Sequence, residues 1–275
     1  MGEVKKYDAI IIGSGQAGNP LMTDLAGRGQ KVAMIEKNEV GGSCINYGCT
    51  PTKTLIASSN LHHRVKSSEA LGVFTENVKL DFKKVMKRKN DIVKDFRSSI
   101  EKGIEQNENV DLYRGIGSFL DNHTILVKLN DGGEKRLTAV NIFINSGAKP
   151  DIPPLEGLEN VAYYDSTSIM DLPELPEHLI ILGTGYIALE FGQLFKRFGS
   201  KVTLIGRGDT IIKNEDVDVS KRVQEILEAD GIEFLLSTET KRVESSNGKV
   251  MIHYEKENKK DQIEGTHFMI ATGRV

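Results

Sequence analysis

Two stretches of the chain share one pattern of apolar and polar positions. Asp8-Ala9-Ile10-Ile11-Ile12-Gly13-Ser14-Gly15 and His178-Leu179-Ile180-Ile181-Leu182-Gly183-Thr184-Gly185 each run from a polar residue through an apolar stretch into a glycine turn. Gly29-x-Lys31-Val32 and Gly199-x-Lys201-Val202 follow at the same offset. A short apolar run bounded by glycine reads as a buried parallel strand. Each copy therefore predicts strand, glycine turn, helix and second strand, and the constant offset marks an internal repeat. In the second copy Ile187, Phe191, Leu194, Phe195 and Phe198 give the helix one apolar face.

Each copy ends in a similar way. Residues 124–128 and 135–139 alternate around Asn130-Asp131-Gly132-Gly133, and residues 250–254 and 262–267 flank the polar stretch 255–261. Both read as hairpins of a small meander. Ile144-Asn145-Ser146-Gly147 and Ile270-Ala271-Thr272-Gly273 then give each half a closing apolar strand that ends in glycine. The first half carries an insertion, residues 51–68 and 81–106, that reads as two helices. In the second of these, Phe82, Val85, Met86, Ile92, Val93, Phe96, Ile100 and Ile104 keep helical spacing, and the charged run 83–89 reads as its solvated face. Residues 150–154, rich in proline, read as the linker. The predicted fold is α/β, with one domain over residues 1–150 and a second over 151–275.

Composition excludes more than it adds. A net charge of −3 gives no sign of a nucleic-acid partner. No apolar run approaches the roughly 20 residues of a membrane span. No signal-peptide pattern precedes the first strand, and Met1-Gly2 is not a myristoylation site, because Lys6 stands where that motif needs Ser or Thr. The expectation is a cytoplasmic protein. Of the chain's 2 cysteines, both fall in one short segment, so they cannot staple distant parts of the fold. In a reducing compartment such a pair is catalytic or metal-binding. No metal site is expected, since no His or Cys completes a ligand set nearby and His62-His63 reads as a solvated helix face.

Gly13-x-Gly15-x-x-Gly18 follows a strand and opens a helix, the context in which it signals dinucleotide binding. The first glycine makes the tight turn, the second lets pyrophosphate approach the backbone, and the third lets helix and strand pack closely. The helix N-terminus offers free N–H groups to phosphate. Glu36 ends the next strand, placed for ribose hydroxyls. The second copy reads Gly183-x-Gly185-x-x-Ala188, with Gly206 at the position of Glu36, Arg207 beside it and Lys213 further on. A carboxylate there would accept from a ribose 2′-hydroxyl and repel a 2′-phosphate; a neutral residue beside a guanidinium does the reverse. The second half is therefore expected to prefer NADPH, with NADH the lesser choice.

Between these sites stands Gly41-Gly42-Ser43-Cys44-Ile45-Asn46-Tyr47-Gly48-Cys49-Thr50-Pro51-Thr52-Lys53. Two cysteines with four residues between them can bridge across about one turn. Pro51 suits the first turn of the following helix, whose N-terminus favours a thiolate. Thioredoxin-type motifs have two intervening residues, not four.

This segment, with Gly183-x-Gly185-Tyr186-Ile187-Ala188-x-Glu190, resembles the class I pyridine nucleotide-disulfide oxidoreductases over the whole chain. That family includes mercuric reductase, dihydrolipoamide dehydrogenase and glutathione reductase. The resemblance implies two Rossmann-like domains, FAD on the first and NADP(H) on the second, with NAD(H) the alternative. It implies hydride transfer to the flavin and onward to a Cys44–Cys49 disulfide. Cys49 would be the flavin-side thiolate and Cys44 the exposed interchange thiol. Lys53 would pair with Glu190 near the flavin, Tyr186 would gate the nicotinamide, and Gly42, Ser43, Gly147 and Gly273 would line the cofactor sites.

Relatives of this kind continue into further FAD-domain residues and an interface domain that makes a homodimer and supplies a His-Glu pair. His253 and His267, in predicted meander strands, cannot be that histidine. Two domains of three are thus expected here, with weak activity or none for these 275 residues alone. The substrate is expected to be a small disulfide, an oxidant or a metal ion, with Thr50-Pro51-Thr52-Lys53 and Tyr163-Tyr164-Asp165-Ser166 resembling mercuric reductase-like members. Two other readings are an NAD-using dihydrolipoamide dehydrogenase and a flavin- and nucleotide-binding module without turnover.

Overall fold

A computed structural model describes residues 4–275, so Met1-Gly2 lies outside the described residues. The chain divides into two compact units. The first holds the residues up to Thr52 together with Lys89–Gly147; the second holds Lys53–Arg88 and Ala148–Val275.

The first unit contains β1 (Val4–Lys6), β2 (Ala9–Ile12), α1 (Gly18–Gly27), β3 (Val32–Glu36), α2 (Gly42–Asn46), β4 (Val110–Phe119), β5 (Thr124–Leu129), β6 (Glu134–Thr138) and β7 (Asn141–Ile144). Its sheet runs β1-β6-β5-β4-β3-β2-β7. β2 pairs in parallel with β3 and β7, with Ala9 opposite Val32 and Asn141. β4 serves two roles: Val110–Arg114 pairs in parallel with β3, and Gly115–Phe119 turns antiparallel against β5. Apolar residues alternate between the faces. Ile10, Ala33 and Ile35 pack with Ile125, Val127 and Leu137 of the meander. Ile11, Val32 and Met34 pack with Met22 of α1 and Ile104. Burial on both faces is why these strands read as unbroken apolar runs.

The second unit repeats the plan with β8 (His178–Leu182), α5 (Tyr186–Phe198), β9 (Lys201–Ile205), α6 (Val217–Ala229), β10 (Glu233–Leu235) and β14 (His267–Ile270), alongside the meander β11 (Thr238–Ser246), β12 (Lys249–Lys256) and β13 (Lys259–Gly265). The parallel sheet is ordered β10-β9-β8-β14 and the meander β11-β12-β13. One face packs Leu179, Ile181, Val202, Leu204 and Met269 against Phe191, Leu194 and Phe195 of α5. The other packs Ile180, Ile205 and Phe268 against Val243, Val250 and Ile252.

The helical insertion is α3 (Cys49–Lys66) and α4 (Phe82–Glu105). Expected within a first domain of residues 1–150, much of it joins the second unit instead. The reason is apolar: Leu55, Phe82 and Met86 belong to the core of that unit, and Phe82 meets Phe198 edge-on at 5.8 Å. His62, expected in solvent, is buried, with Nδ1 2.7 Å from the Arg197 carbonyl oxygen. Lys89, within the charged run, is also buried, because it falls on the same helical face as Phe82, Met86 and Val93. Phe96, expected inside, is exposed. The 250–267 hairpin differs too. β12 and β13 run on through the polar stretch to a turn at Glu257 and Asn258, both with positive φ, and His267 opens β14 rather than ending the meander. Residues 150–154, read as the linker, lie just past the boundary between the units at Gly147, and Asp151 N donates to the Gly273 carbonyl at 3.0 Å. No helix among the described residues is long and apolar enough to cross a membrane.

Candidate active site: two glycine turns and a cysteine pair

In the first unit the turn Gly13–Gly18 joins β2 to α1. A Cβ on Gly18 would lie 2.2 Å from the Gly13 carbonyl oxygen, so only glycine permits this closeness of helix and strand. Glu36, at the end of β3, is buried beside the turn. Its Oε2 accepts from Ser14 N at 2.9 Å and Ser14 Oγ at 2.7 Å, and its Oε1 accepts from Asn38 N at 2.9 Å. Carboxylate oxygens have further lone pairs, so ribose hydroxyls can still be received. Ser14 Oγ also accepts from Gly41 N at 3.1 Å, tying the glycine turn to the cysteine segment.

That segment is pressed against the turn. Gly42 has φ +62°, and a Cβ there would lie 2.6 Å from Gly15 Cα. Left-handed backbone and close approach both demand glycine at this position. α2 then carries Ser43 and Cys44, and Cys49 opens α3. Asn46 holds the segment in shape: Nδ2 donates to the carbonyls of Val40 at 2.9 Å and Gly42 at 3.0 Å, while Oδ1 accepts from Arg97 Nε at 2.9 Å. Both cysteines are free thiols. Burial, and then the hydrogen bond to Cys49, push the Cys44 thiol above its ordinary pKa. Cys44 is half-buried and Cys49 exposed. The difference follows from position: Cys44 lies inside the short α2 with Gly48 folded back on it, whereas Cys49 stands at a helix start. Gly147 lies past β7 with left-handed backbone and open space at its Cα.

In the second unit, Gly183, Gly185, Tyr186, Arg207, Lys213 and Gly273 line one cleft of about 400 Å³. Ala188 is fully buried behind it and does not line it. Arg207, Lys213 and Arg274 contribute positive charge, and no Asp or Glu is among the lining residues. A Cβ on Gly185 would meet nothing within 4 Å, which leaves the backbone open to a phosphate. This donor set fits an anionic nucleotide. Tyr186 is exposed, and its hydroxyl donates to Glu215, which pushes the phenol above its ordinary pKa. Lys53 Nζ donates to Glu190 Oε1 in a different cleft of the same unit, of about 540 Å³. His253 is bonded to Glu244 at 2.9 Å, while His267 stacks on Tyr164, and burial lowers its pKa.

Sequence reading passed over Ser14, Asn46, Thr184 and Glu215. Asn46 stood within the quoted motif. Ser14 had a signal, as the small hydroxyl residue between two glycines of the turn. Glu215 had none, because a single acid in a polar loop is ordinary.

The chain belongs to the pyridine nucleotide-disulphide oxidoreductase family, whose model matches residues 7–275. Members of this family use FAD and a pyridine nucleotide. The chain is 35% identical over 268 residues to a mercuric reductase of Bacillus cereus, covering 98% of this chain and 42% of that protein. It is 35% identical to the probable pyridine nucleotide-disulfide oxidoreductase RclA of Escherichia coli, covering 98% and 57%. A dihydrolipoamide dehydrogenase of Chaetomium thermophilum is 36% identical, over 97% and 54%. The solved structure of the HOCl-induced flavoprotein disulfide reductase RclA superposes with a TM-score of 0.84 at 35% identity, covering 98% of this chain and 57% of that one. Its Cu(II) complex gives 0.87 over the same shares. The chain thus spans about half the length of the curated relatives it matches.

Proposed function

We propose that the chain carries the electron relay of an NADPH-dependent flavoprotein disulfide reductase, ending on Cys44 and Cys49. The observation that supports this reading is the packing of Gly42, two residues before Cys44, onto Gly15 of the first glycine turn. A flavin bound there would supply two-electron chemistry between a nicotinamide and the disulfide.

The chain's own residues do the rest. The Gly13–Gly18 turn and the N-terminus of α1 receive pyrophosphate, and Glu36, already anchored by Ser14 and Asn38, receives ribose hydroxyls. In the second unit the cleft with Arg207 and Lys213 receives NADPH, since its cations favour a 2′-phosphate and it offers no carboxylate to a 2′-hydroxyl. An NAD-using dihydrolipoamide dehydrogenase is the poorer fit for this reason. Two electrons and one proton convert the disulfide to the Cys44 thiol and the Cys49 thiolate. The raised pKa of Cys44 keeps a proton on its Sγ, bonded to Cys49. Cys49 then serves as the flavin-side sulfur and Cys44 as the sulfur that exchanges with substrate. Lys53, held by Glu190, adds positive charge one helical turn beyond Cys49. The proposed substrate is a small disulfide or an oxidant. A metal ion is the second candidate, supported by the similarity to mercuric reductases.

The test is anaerobic addition of NADPH to the FAD-loaded chain. A long-wavelength thiolate–flavin absorption band is expected, kept in Cys44→Ser and lost in Cys49→Ser. Bleaching of the flavin without that band in the unsubstituted chain would overturn the relay.

A further inference from the structure

The two halves of the chain hold an internal comparison that bears on nucleotide choice. In the first unit Ser14 follows the first glycine of the turn and Glu36 ends the second strand, and Ser14 donates twice to that carboxylate. In the second unit the same offset puts Thr184 and Gly206 at those positions. A Cβ on Gly206 would lie 2.7 Å from Thr184 Cγ2, 3.0 Å from its Oγ1 and 3.4 Å from Leu236 Cδ2. Gly206 is not among the positive-φ residues, so it is space and not backbone strain that requires glycine there.

The backbone has little room to retreat. Gly206 N donates to the Leu235 carbonyl at 2.9 Å, and the Gly206 carbonyl accepts from Thr238 N at 2.9 Å. Thr184 is fixed as well, since its carbonyl accepts from Ile212 N at 2.9 Å and β-branching restricts its χ1. Serine and threonine differ here by one methyl group. At Ser14 the methyl is absent, and the hydroxyl turns to the acid. At Thr184 the methyl stands where the acid would have to leave the strand.

We infer that Thr184 and Gly206 act together as the specificity-determining pair of the nucleotide cleft: the threonine methyl bars a carboxylate from position 206, which leaves the ribose 2′ position to Arg207 and Lys213. This deepens the reading that the cleft takes NADPH and rests on it. It also predicts that a carboxylate at 206 works only when position 184 is serine, restoring the arrangement of Ser14 and Glu36.

The test measures binding of adenosine 2′,5′-bisphosphate and adenosine 5′-monophosphate to the FAD-loaded chain by calorimetry. The unsubstituted chain should bind the bisphosphate at least about tenfold tighter. Gly206→Glu should weaken bisphosphate binding and gain nothing for the monophosphate. Thr184→Ser with Gly206→Glu should bind the monophosphate about tenfold tighter than Gly206→Glu alone. If the single substitution gains as much as the double, the role given to Thr184 is wrong. If the unsubstituted chain does not prefer the bisphosphate, the NADPH reading fails, while the comparison of single with double still reads out the pair. Should Gly206→Glu not fold, Gly206→Ala is the smaller probe. It should lower the melting temperature, and Thr184→Ser should restore it; no restoration overturns the inference.

Discussion

Replacing Glu36 with Gln tests whether its carboxylate is built into the fold before any ligand arrives. The side chain is 8% exposed and receives three donors, Ser14 N and Oγ on one oxygen and Asn38 N on the other. Gln has one acceptor oxygen and one NH₂, so one side of the amide must face an N–H. The milder arrangement leaves Oε1 with Ser14 and turns the amide nitrogen towards Asn38, whose N–H loses its partner. A lost hydrogen bond to a charged group costs about 1.5–3 kcal/mol. The two remaining bonds also lose their charge assistance, which weakens each by about half. Together these give about 2–4 kcal/mol. At roughly 2–4 °C per kcal/mol for a chain approaching this size, the melting temperature falls by about 5–15 °C. Thermal unfolding of the flavin-free chain, followed by circular dichroism, measures it; flavin-free protein is essential, so that lost cofactor binding does not add to the fall. A Glu36→Gln protein melting within about 1 °C of the parent would refute the reasoning and leave Glu36 as a ligand contact alone.

Other predictions follow from single contacts. The reduced protein should lose stability as pH rises past the ordinary thiol value of 9.0, because Cys44 ionises in the unfolded chain before it ionises in the folded one; chemical denaturation at neutral and alkaline pH should show this loss, and Cys44→Ser should remove it. Lys53→Ala should change stability by less than about 1 kcal/mol, since its side chain is largely exposed and such pairs are weak, yet it should slow reduction of the disulfide in stopped flow; a large fall in stability with unchanged reduction would reverse that assignment. Glu215→Ala should bring the ultraviolet titration of Tyr186 down towards the ordinary phenol range, identified by its absence in Tyr186→Phe. An unmoved titration would mean the Tyr186–Glu215 bond does not form in solution.

What the sequence revealed depended on whether burial left a pattern in it. β2, β3, β8 and β9 are covered on both faces, so their apolar runs announced them, and the glycine turns between strand and helix followed. β12 and β13 carry Glu255, Lys256, Lys259 and Lys260 into the hairpin, and an exposed two-stranded end gives no apolar alternation to read. Its turn uses Glu257 and Asn258 in place of the usual glycine, which removed the remaining signal. Lys89 and His62 show the opposite failure: each sits at a core-facing position with a polar side chain, and type outweighed position in the reading. The glycines of the site were legible because close approach leaves no other choice. The exposure of Cys44 and Cys49 was not, since it depends on how Gly48 folds the segment back on itself.

The division of the chain bears on how the protein is made. The second unit draws on Lys53–Arg88, while the first is completed by Lys89–Gly147. As the chain emerges from the ribosome, Leu55, Phe82 and Met86 are synthesised well before Leu179, Phe191 and Phe198, their companions in the core. Those early helices wait with apolar faces uncovered, and closing so long a loop carries an entropic cost and slows the search for native contacts. A chain halted near Gly147 would present that surface to its surroundings, so newborn protein should be most dependent on chaperones in the interval between the two halves.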